Sequence, residues 1–495
     1  AFRPAEMLLE APATGGSATE YCDAGVLRMI RTRSLAALRA EVEPVDQETF
    51  ARFLPGWQGI GAGLRGIDGV LAVIEQLAGV PVPASALESH VLPARVRDYR
   101  PAMLDELMSA GEVLVSGAGA LAGTDGWIAL HTAENAPLSL PLPDTSALGP
   151  LATELFSVLG SSGAYFVPQL ARLLAVAPPD GSGTASGSEP SSAEVLEALW
   201  ELFWASAVAP DTLAPIRQLV SGGKAAHRVP ALAPRARTAR LGRMAMLRSS
   251  RTDGAVDVTG RRQLPDSASG RWGALPAPEK DTTIRAHAAA EFLLERYGVV
   301  TRGSVAAESV PGGFGQLYRV LGRLEEAGHT RRGYFVERLG AAQFSTSATI
   351  DRLRALVREP GHGAPPVALA LAATDPANPY GAALGWPEAA GGHRPGRKAG
   401  ALVVLLDGAL ALYVERGGKT VLGFGALSGD QDSAAADPAV LDAIATELVA
   451  VLRRAAIAKL GIEKINGKPV LETPVGTALL RAGFYSSPSG LRFRS

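Results

Sequence analysis

Apolar and polar positions along residues 317–344 follow two periods in turn, a helical one and then one typical of strands. Four apolar residues recur at helical spacing and form one stripe, namely Leu317, Val320, Leu321 and Leu324. Gly328 follows where a helix C-cap glycine is expected. The polar turn 330–333 and the apolar residues 334–336 then predict a two-stranded turnback with arginines at its tip.

A helix, a glycine stop and a basic hairpin together are typical of the second half of a winged helix. That fold usually lays its helix and its wing against nucleic acid. The alternative is a helix and hairpin that serve packing alone. Similar tails, in which an apolar helix leads into a strand, occur at residues 103–115 and 197–209, each after two further helices. We therefore predict tandem winged helices that repeat without a fixed period.

After Phe344 the pattern changes to strands. Apolar runs separated by Asp407-Gly408 and Gly417-Gly418 predict strands joined by tight hairpins. Short strands with tight turns suggest a small barrel or a curled sheet. A helix over residues 438–460 and a closing basic hairpin complete the chain. The predicted fold class is α+β, with tandem winged-helix modules followed by a small β-barrel and a C-terminal helical and hairpin segment.

These patterns divide the chain into seven predicted segments. They are an N-terminal helical, winged-helix-like segment (1–64), winged helices (65–135 and 145–222), a basic Arg-rich connector (223–280), a third winged helix (281–345), the β-barrel (346–435) and the C-terminal helices and basic hairpin (436–495). Within the first segment we expect a helix around Arg28 to Val42 and an aromatic turn from Phe50 to Trp57.

Composition limits the broad class of the protein. A chain of 495 residues is expected to form three or more domains. No apolar run reaches the roughly 18 residues of a membrane span, and the N-terminus does not resemble a signal peptide. The one cysteine, Cys22, excludes an internal disulfide and favours a reducing, cytoplasmic setting. The missing initiator methionine indicates a fragment of a longer protein, and nucleoid association is expected if the chain binds DNA.

The net charge of −1 conceals a strongly basic stretch before the third predicted winged helix. Three aspartates oppose its basic residues, which are Lys224, Arg228, Arg235, Arg237, Arg240, Arg243, Arg248, Arg251, Arg261, Arg262 and Arg271. Positive charge at this density is typical of phosphate binding, because each contact releases condensed counterions. The alternative is a solvated connector without a ligand.

Two further motifs fail as catalytic or metal sites. The sequence GGKT at residues 417–420 resembles the end of a phosphate-binding loop, but Tyr413 stands where that motif needs another glycine. A strand rather than a helix is predicted to follow, so we interpret GGKT as a hairpin turn. The seven histidines do not pair with each other or with Cys22 at metal-ligand spacing. We predict no ATP hydrolysis and no metal site in this chain.

Candidate DNA-binding residues come mainly from the third winged helix and the basic segments. They are Arg271, Trp272, Gly313, Gly315, Gln316, Tyr318, Arg319, Arg331, Arg332, Tyr334, Arg397, Lys398, Arg492 and Arg494. The glycines and Gln316 open the predicted recognition helix, where backbone amides suit a phosphate; a plain glycine-rich turn is the alternative. Trp272 is either a stacking platform for a base or a core residue.

Longer sequence blocks carry a resemblance to a known family. Residues 296–344, together with GRWGALP at 270–276 and LAATDPANPYGAALGWP at 371–387, resemble the C-terminal half of Lhr, a large bacterial superfamily 2 DNA helicase. Residues 199–217 and 99–113 also fit that family. The resemblance implies a DNA-binding and assembly module of an ATP-dependent 3′-to-5′ helicase acting in DNA repair. ATP and magnesium are then expected only in the helicase core, which this chain lacks.

The same region is similar in layout to AlkZ-type DNA glycosylases, which combine winged helices with a β-barrel. That similarity implies a second function, the removal of uracil or an alkylated base from a flipped nucleotide. The Gln-x-Gln or Gln-x-Asp motif of those enzymes has no counterpart in a plausible site here. The best candidate acid is Asp375, near Asn378 and Tyr380; the alternative is an Asp that starts a proline turn.

The expected partner is DNA, as a single strand or a tailed duplex, and no membrane. A homo-oligomer is also expected, because the apolar helices at residues 67–79 and 196–208 have faces that suit contact between protomers.

Overall fold

The structure is a computed structural model that describes only part of the chain. The described residues are 2–4, 21–23, 25–27, 29–30, 33, 43–121, 124–161, 163–175, 190–222, 269–340, 342–357, 366–389, 393–428 and 437–494. Most of the helix expected at 28–42, and residues 224–268 of the Arg-rich segment, therefore lie outside the described residues.

The N-terminal part contains two paired short strands and, from residue 47, a regular helix. Strands β1 (Phe2–Pro4) and β2 (Tyr21–Asp23) are antiparallel, and helix α1 spans Gln47–Trp57. The side chain of Asp46 caps α1 by accepting a hydrogen bond from an amide of its first turn. Since this cap begins a regular helix, the aromatic turn predicted at 50–57 is wrong.

The first winged helix follows the predicted order of elements. These are α2 (Gly66–Gln76), β3 (Val82–Pro83), α3 (Ala84–Ala86), a π-helical turn (Leu87–Val91), α4 (Leu92–Arg95), α5 (Pro101–Ser109), β4 (Val113–Ala120) and β5 (Gly126–Thr132). The strands lie in the order β3-β5-β4, so the first strand pairs with the last. A short helix, α6 (Ala136–Ser139), follows the sheet.

The second winged helix repeats this arrangement over a longer stretch of chain. Its elements are α7 (Pro150–Ser161), β6 (Ala164–Tyr165), α8 (Val167–Ala175), α9 (Ser192–Trp204), β7 (Val208–Pro210), α10 (Ala214–Val220) and β8 (Trp272–Ala274). The sheet order is β6-β8-β7. Because β8 completes this sheet, the module does not end at 222.

The third winged helix matches the predicted segment 281–345. Its elements are α11 (Thr282–Tyr297), β9 (Val299–Val300), α12 (Arg302–Ala307), α13 (Gly313–Ala327), β10 (Arg331–Gly333) and β11 (Gln343–Ser345). The strand order is again first, last, middle: β9-β11-β10. The helix α14 (Ser347–Arg354) follows, where the sequence pattern predicts the start of a strand region.

The remainder of the chain combines a large sheet with a small C-terminal module. The elements are β12 (Ala368–Ala372), β13 (Leu402–Leu406), β14 (Ala409–Val414), β15 (Thr420–Gly423), α15 (Pro438–Arg454), β16 (Lys459–Ile462), β17 (Lys464–Ile465), β18 (Lys468–Pro469), α16 (Pro474–Ala482), β19 (Tyr485–Ser487) and β20 (Gly490–Arg494). Six strands pair in the order β12-β13-β14-β15-β17-β18. No pairing between the two outermost strands closes this sheet within the described residues, so the predicted barrel is not confirmed.

The C-terminal module has the strand order of the three winged helices. Its sheet is β16-β20-β19, so the first strand again pairs with the last. Helix α16 precedes the β19–β20 hairpin, as a recognition helix precedes the wing. The predicted closing basic hairpin is confirmed, while the helix predicted over 438–460 ends earlier, at Arg454.

One hydrophobic core is shared by the first and second winged helices. Helices α2 and α9 contribute Val70, Val73, Leu199 and Leu202, all buried. These apolar faces were expected to contact another protomer, but they pack inside the chain and give no support to an oligomer. Among the described ranges, no helix combines the length and apolar character needed to span a bilayer.

Candidate nucleic-acid interface

The third helix of a winged helix usually meets nucleic acid, and α5, α9 and α13 hold that position in the three modules. Helix α5 exposes Glu106, and the neighbouring Asp105 accepts a hydrogen bond from the Arg217 guanidinium at 2.7 Å. Arg217 belongs to α10 of the second winged helix. The outer face of α5 therefore carries carboxylates and packs against another module.

Helix α9 is also poorly suited to phosphate. Its solvent face carries three glutamates, namely Glu194, Glu197 and Glu201. Its C-terminal end packs on the β4–β5 hairpin, where a side chain at Gly126 would collide with the Trp204 ring. Like charges repel the phosphate backbone, so α9 serves packing between the first two modules.

Helix α13 presents the opposite surface. Arg319 and Arg323 lie one turn apart and are both exposed. Gly315 and Gly322 lie beside them, and a Cβ atom at either position would meet no other atom within 4 Å. A backbone without side chains permits close approach of a ligand. Glu326 is also exposed, one turn after Arg323, so the basic part of this face ends there.

The N-terminus of α13 is formed by glycines, as the sequence predicts. Gly312 adopts a left-handed conformation with φ 75° and provides no side-chain cap, and Gly313 also has positive φ. The Gln316 amide group donates to the Thr282 carbonyl oxygen at 3.3 Å. Gln316 thus packs across to α11, and its side-chain oxygen lies next to Gly312 at the start of the helix.

The arginines predicted at the hairpin tip lie instead on strand β10. The guanidinium group of Arg332 stacks over the Tyr318 ring, donates a hydrogen bond to the Tyr318 hydroxyl and lies 3.6 Å from the Glu325 carboxylate. Arg331, next to it, is half-buried. Strand β10 begins at Arg331 because this residue pairs with Ser345 on β11, so the loop of the wing begins after Gly333.

The wing loop is held by side-chain hydrogen bonds. The side-chain oxygen of buried Gln343 accepts from the Phe335 and Val336 amides, at 3.1 and 2.8 Å. Its amide nitrogen donates to the Val336 and Gly340 carbonyl oxygens. The backbone NH of Arg338, which is exposed, donates to the Tyr334 hydroxyl at 2.6 Å. The wing is therefore a closed loop that presents Arg338 to solvent.

The two candidates before the third module have structural partners. Arg271 forms an ion pair with Asp211 at 2.7 Å. Trp272 is fully buried and makes edge contacts with Trp200 and Phe203. Of the two alternatives for Trp272, the core position is the one in the structure, and no face of its ring is open to a base.

Asp375 lies in a buried polar cluster. Both of its carboxylate oxygens accept from the Arg95 guanidinium, at 2.8 and 3.1 Å, and both side chains are almost fully inaccessible. Arg397 donates to four backbone carbonyl oxygens nearby, including that of Asp375. Lys398 is exposed and pairs with Glu415 at 3.4 Å. This placement gives Asp375 a structural partner, and its catalytic role stays a prediction.

The structure does not bring all predicted residues to one surface. Arg319 lies on α13, whereas Arg492 and Arg494 are exposed on β20 of the C-terminal module. Two exposed arginines of the third winged helix, Arg323 and Arg338, were missed. The spacing of Arg323 four residues after Arg319 is a signal for one helix face, while Arg338 follows only from the position of the wing.

Comparison with known proteins finds similar sequences and a similar fold. Residues 45–133 and 279–365 each match the winged-helix domain of large helicase-related protein. Over 97% of the chain, 48% of residues are identical to the Lhr helicase/probable uracil glycosylase of Mycolicibacterium smegmatis. Over 94%, 37% are identical to the Lhr helicase/uracil glycosylase of Escherichia coli. The chain spans 30% of the length of each relative.

A solved structure with a similar layout is the DNA glycosylase AlkZ of Streptomyces sahachiroi. The likeness covers 86% of this chain and 100% of AlkZ, with a TM-score of 0.46 and 13% identity. A likeness at this level carries no inference about the chemistry of the chain.

Proposed function

Because residues 45–133 and 279–365 are winged-helix domains of the large helicase-related (Lhr) family, we propose that this chain is a DNA-binding module of an ATP-dependent DNA helicase. The motor, its 3′-to-5′ direction and its use of ATP and magnesium belong to the rest of the proposed protein. The module holds DNA in reach of that motor, and assembly into a homo-oligomer is part of the proposal.

The observation that carries the proposal is the contrast between the three recognition helices. Helix α13 exposes Arg319 and Arg323 beside bare glycine backbone, with Glu326 exposed in its last turn, whereas α5 and α9 expose carboxylates and contain no lysine or arginine. Only a face of the first kind attracts phosphates and lets them approach the backbone. We therefore assign the duplex part of a tailed DNA to α13 and the wing of the third winged helix.

Reversing one charge on α13 tests this assignment. Arg319→Glu and Arg323→Glu are each expected to weaken binding of a tailed duplex by about tenfold at low salt, since each replaces a phosphate attraction with repulsion. Binding is measured by fluorescence anisotropy of a labelled DNA.

The matched control is Arg172→Glu, which reverses one exposed charge on α8. This variant is expected to bind within about twofold of the unmodified chain. Equal affinities for the α13 variants and the control would refute the role of α13, and a chain that binds no DNA at all would refute the proposed function.

A second candidate function is base excision, which is favoured by the words "uracil glycosylase" in the names of both relatives. The test incubates an excess of the chain with uracil-containing single-stranded DNA, followed by alkali. Strand cleavage supports this function, and an intact strand removes it. Asp375→Asn, checked for folding by circular dichroism, then tests Asp375: full cleavage by the folded variant would exclude it as the catalytic acid.

A further inference from the structure

The C-terminal sheet presents a basic face that is separate from α13. In the β16–β20 pair, Lys459 lies directly opposite Arg494, and Gly461 lies opposite Arg492. In the β19–β20 pair, Tyr485 also lies opposite Arg492. Directly paired residues share one face of a sheet, so these five residues form two rows on the same side.

The two faces of this sheet differ in character. Leu460, Ile462, Leu491 and Phe493 alternate with the first set and are buried in the core. Lys459, Arg492 and Arg494 are exposed. Because the apolar residues of this sheet are buried, the basic residues between them point to solvent. A shift of one residue in register would exchange the two faces.

A groove of about 420 Å³ runs along the basic face. Lys419, from the Gly417-Gly418 hairpin, lines the same groove together with Glu463. Its ammonium group lies 3.4 Å from the Glu463 carboxylate. Within the described part of the chain, Lys459, Arg492 and Arg494 form no such pair, so three positive charges in the groove remain uncompensated.

The floor of the groove is bare and its side is aromatic. A Cβ atom at Gly461 would meet only the Leu491 carbonyl oxygen, at 4.0 Å, so the backbone is open between the charged side chains. Tyr485 is 47% exposed at the end of the row that contains Arg492. Exposed aromatic rings beside basic side chains are typical of proteins that bind single strands, because a base without a pairing partner can stack on the ring.

We propose that this groove binds single-stranded DNA, with Lys459, Arg492 and Arg494 on the phosphates and Tyr485 stacked on a base. The proposal rests on the DNA-binding function assigned above and adds a second site to it. In a tailed duplex, α13 takes the duplex and the groove takes the unpaired tail. The exposed ring of Tyr485 suits a strand whose bases are accessible, which a closed duplex does not provide.

The first test blocks the groove without removing any contact of the fold. Gly461→Glu places a carboxylate on the open floor, and Gly461 has no positive φ that would strain the new residue. The full 495-residue chain carrying this change is expected to bind a labelled oligo-dT at least about tenfold more weakly, while its affinity for a blunt duplex changes by less than about twofold. Gly160→Glu, on α7, is the matched control, since Gly160 is exposed and a Cβ atom there meets nothing within 4 Å.

The second test separates charge from stacking. Changing Lys459, Arg492 and Arg494 to Gln removes three charges, so the slope of log K against log salt for oligo-dT should become shallower by about 2. Tyr485→Ala should weaken oligo-dT binding by about tenfold and Tyr485→Phe should restore it.

Three outcomes decide the proposal. Loss of oligo-dT binding in Gly461→Glu, with the control and the blunt duplex unchanged, supports it. If the groove variants bind oligo-dT with unchanged affinity and salt slope, the groove is not a binding site for single strands. The proposed function still holds in that case, provided that binding of a tailed duplex depends on Arg319. A chain that binds no DNA overturns both.

Discussion

At the scale of single residues, buried polar side chains show how tightly the first winged helix is built. His131 lies on β5 inside the module, where one ring nitrogen contacts the Ser116 hydroxyl at 2.9 Å and the other contacts the Ser139 hydroxyl at 2.7 Å. Burial lowers the pKa of His131 to about 3. The imidazole is therefore neutral in the folded chain at neutral pH.

This shift in pKa predicts a loss of stability in acid. Between the ordinary pKa of about 6.5 and the lowered value of about 3, the unfolded chain binds a proton that the folded chain does not. Stability therefore falls as the pH drops through this window, with a contribution from His131 on the order of 3 kcal/mol by pH 4. Urea unfolding of the chain between pH 7 and pH 4 measures it.

The His131→Gln variant removes the titrating group from that experiment. Its stability should be lower at pH 7, because hydrogen bonds are lost, and should depend less on pH below 6.5. His287→Gln, which alters an exposed histidine, is the control for replacing an imidazole outside the core. A His131→Gln profile as steep as that of the unmodified chain would contradict the assignment.

At the scale of elements, equivalent helices in three similar modules serve different purposes. Helices α5 and α9 bind other parts of the chain, and α13 is left with an exposed basic face. The wing of the third module owes its shape to Gln343, which makes four hydrogen bonds across the loop. An element that contacts a ligand needs such support, since the loop has few apolar contacts of its own.

Removing the Gln343 side chain should destabilise the wing. In Gln343→Ala the buried amides of Phe335 and Val336 lose their acceptor, and each unsatisfied donor costs about 1–3 kcal/mol. We expect urea unfolding to show a loss of roughly 2–4 kcal/mol. Gln316→Ala removes only one long hydrogen bond at the surface and should cost less than about 1 kcal/mol. Equal stabilities of these two variants would exclude the wing clamp.

At the scale of the whole molecule, buried arginines connect the modules. Arg95 of the first winged helix binds Asp375, which follows the first strand of the large sheet. Arg296 of the third winged helix donates to the Gln76 and Ala78 carbonyl oxygens of the first. These links connect the first winged helix to the large sheet and to the third winged helix. Because each guanidinium group has hydrogen-bond partners there, its charge can lie away from solvent.

Breaking the Arg95–Asp375 link should therefore affect the entire fold. Asp375→Asn leaves a buried guanidinium group without its anionic partner, which is expected to lower the free energy of unfolding by about 3–5 kcal/mol. The matched control is Asp442→Asn, which breaks the exposed pair with Arg481 and should cost less than about 1 kcal/mol. A loss in Asp375→Asn as small as in the control would show that the buried pair does not hold the modules.

Local patterns predicted most elements of the fold. The stripe from Leu317 to Leu324 and the C-cap at Gly328 predicted α13, and Asp407-Gly408 predicted the β13–β14 turn, because helix periodicity and turn glycines act within a few residues. The same reasoning failed at 50–57, where the Asp46 cap lies just before the segment that was interpreted as a turn. It also failed for β8, whose partners β6 and β7 lie before the Arg-rich segment.

Local sequence patterns predicted the candidate nucleic-acid interface only in part. Arg319 lies on α13, the helix where it was predicted, because its position depends on that helix alone, and its contact with DNA stays a prediction. Arg332 and Trp272 have the residue types of DNA contacts, yet Arg332 packs on Tyr318 and Trp272 lies in the core. Residue type states what a side chain is able to bind, whereas its exposure depends on which other segments pack around it.

Periodicity, turn residues and charge are written into short stretches of this chain, and they suffice to indicate tandem winged helices and a strong bias toward phosphate. Which recognition helix remains exposed, where the wing arginines point and which carboxylate lies buried against Arg95 depend on contacts between residues far apart in the chain. Asp375 and Arg95 are 280 positions apart. Packing between modules makes these choices, because burial of the large apolar faces requires charged groups inside the fold to be paired and leaves the others exposed at its surface.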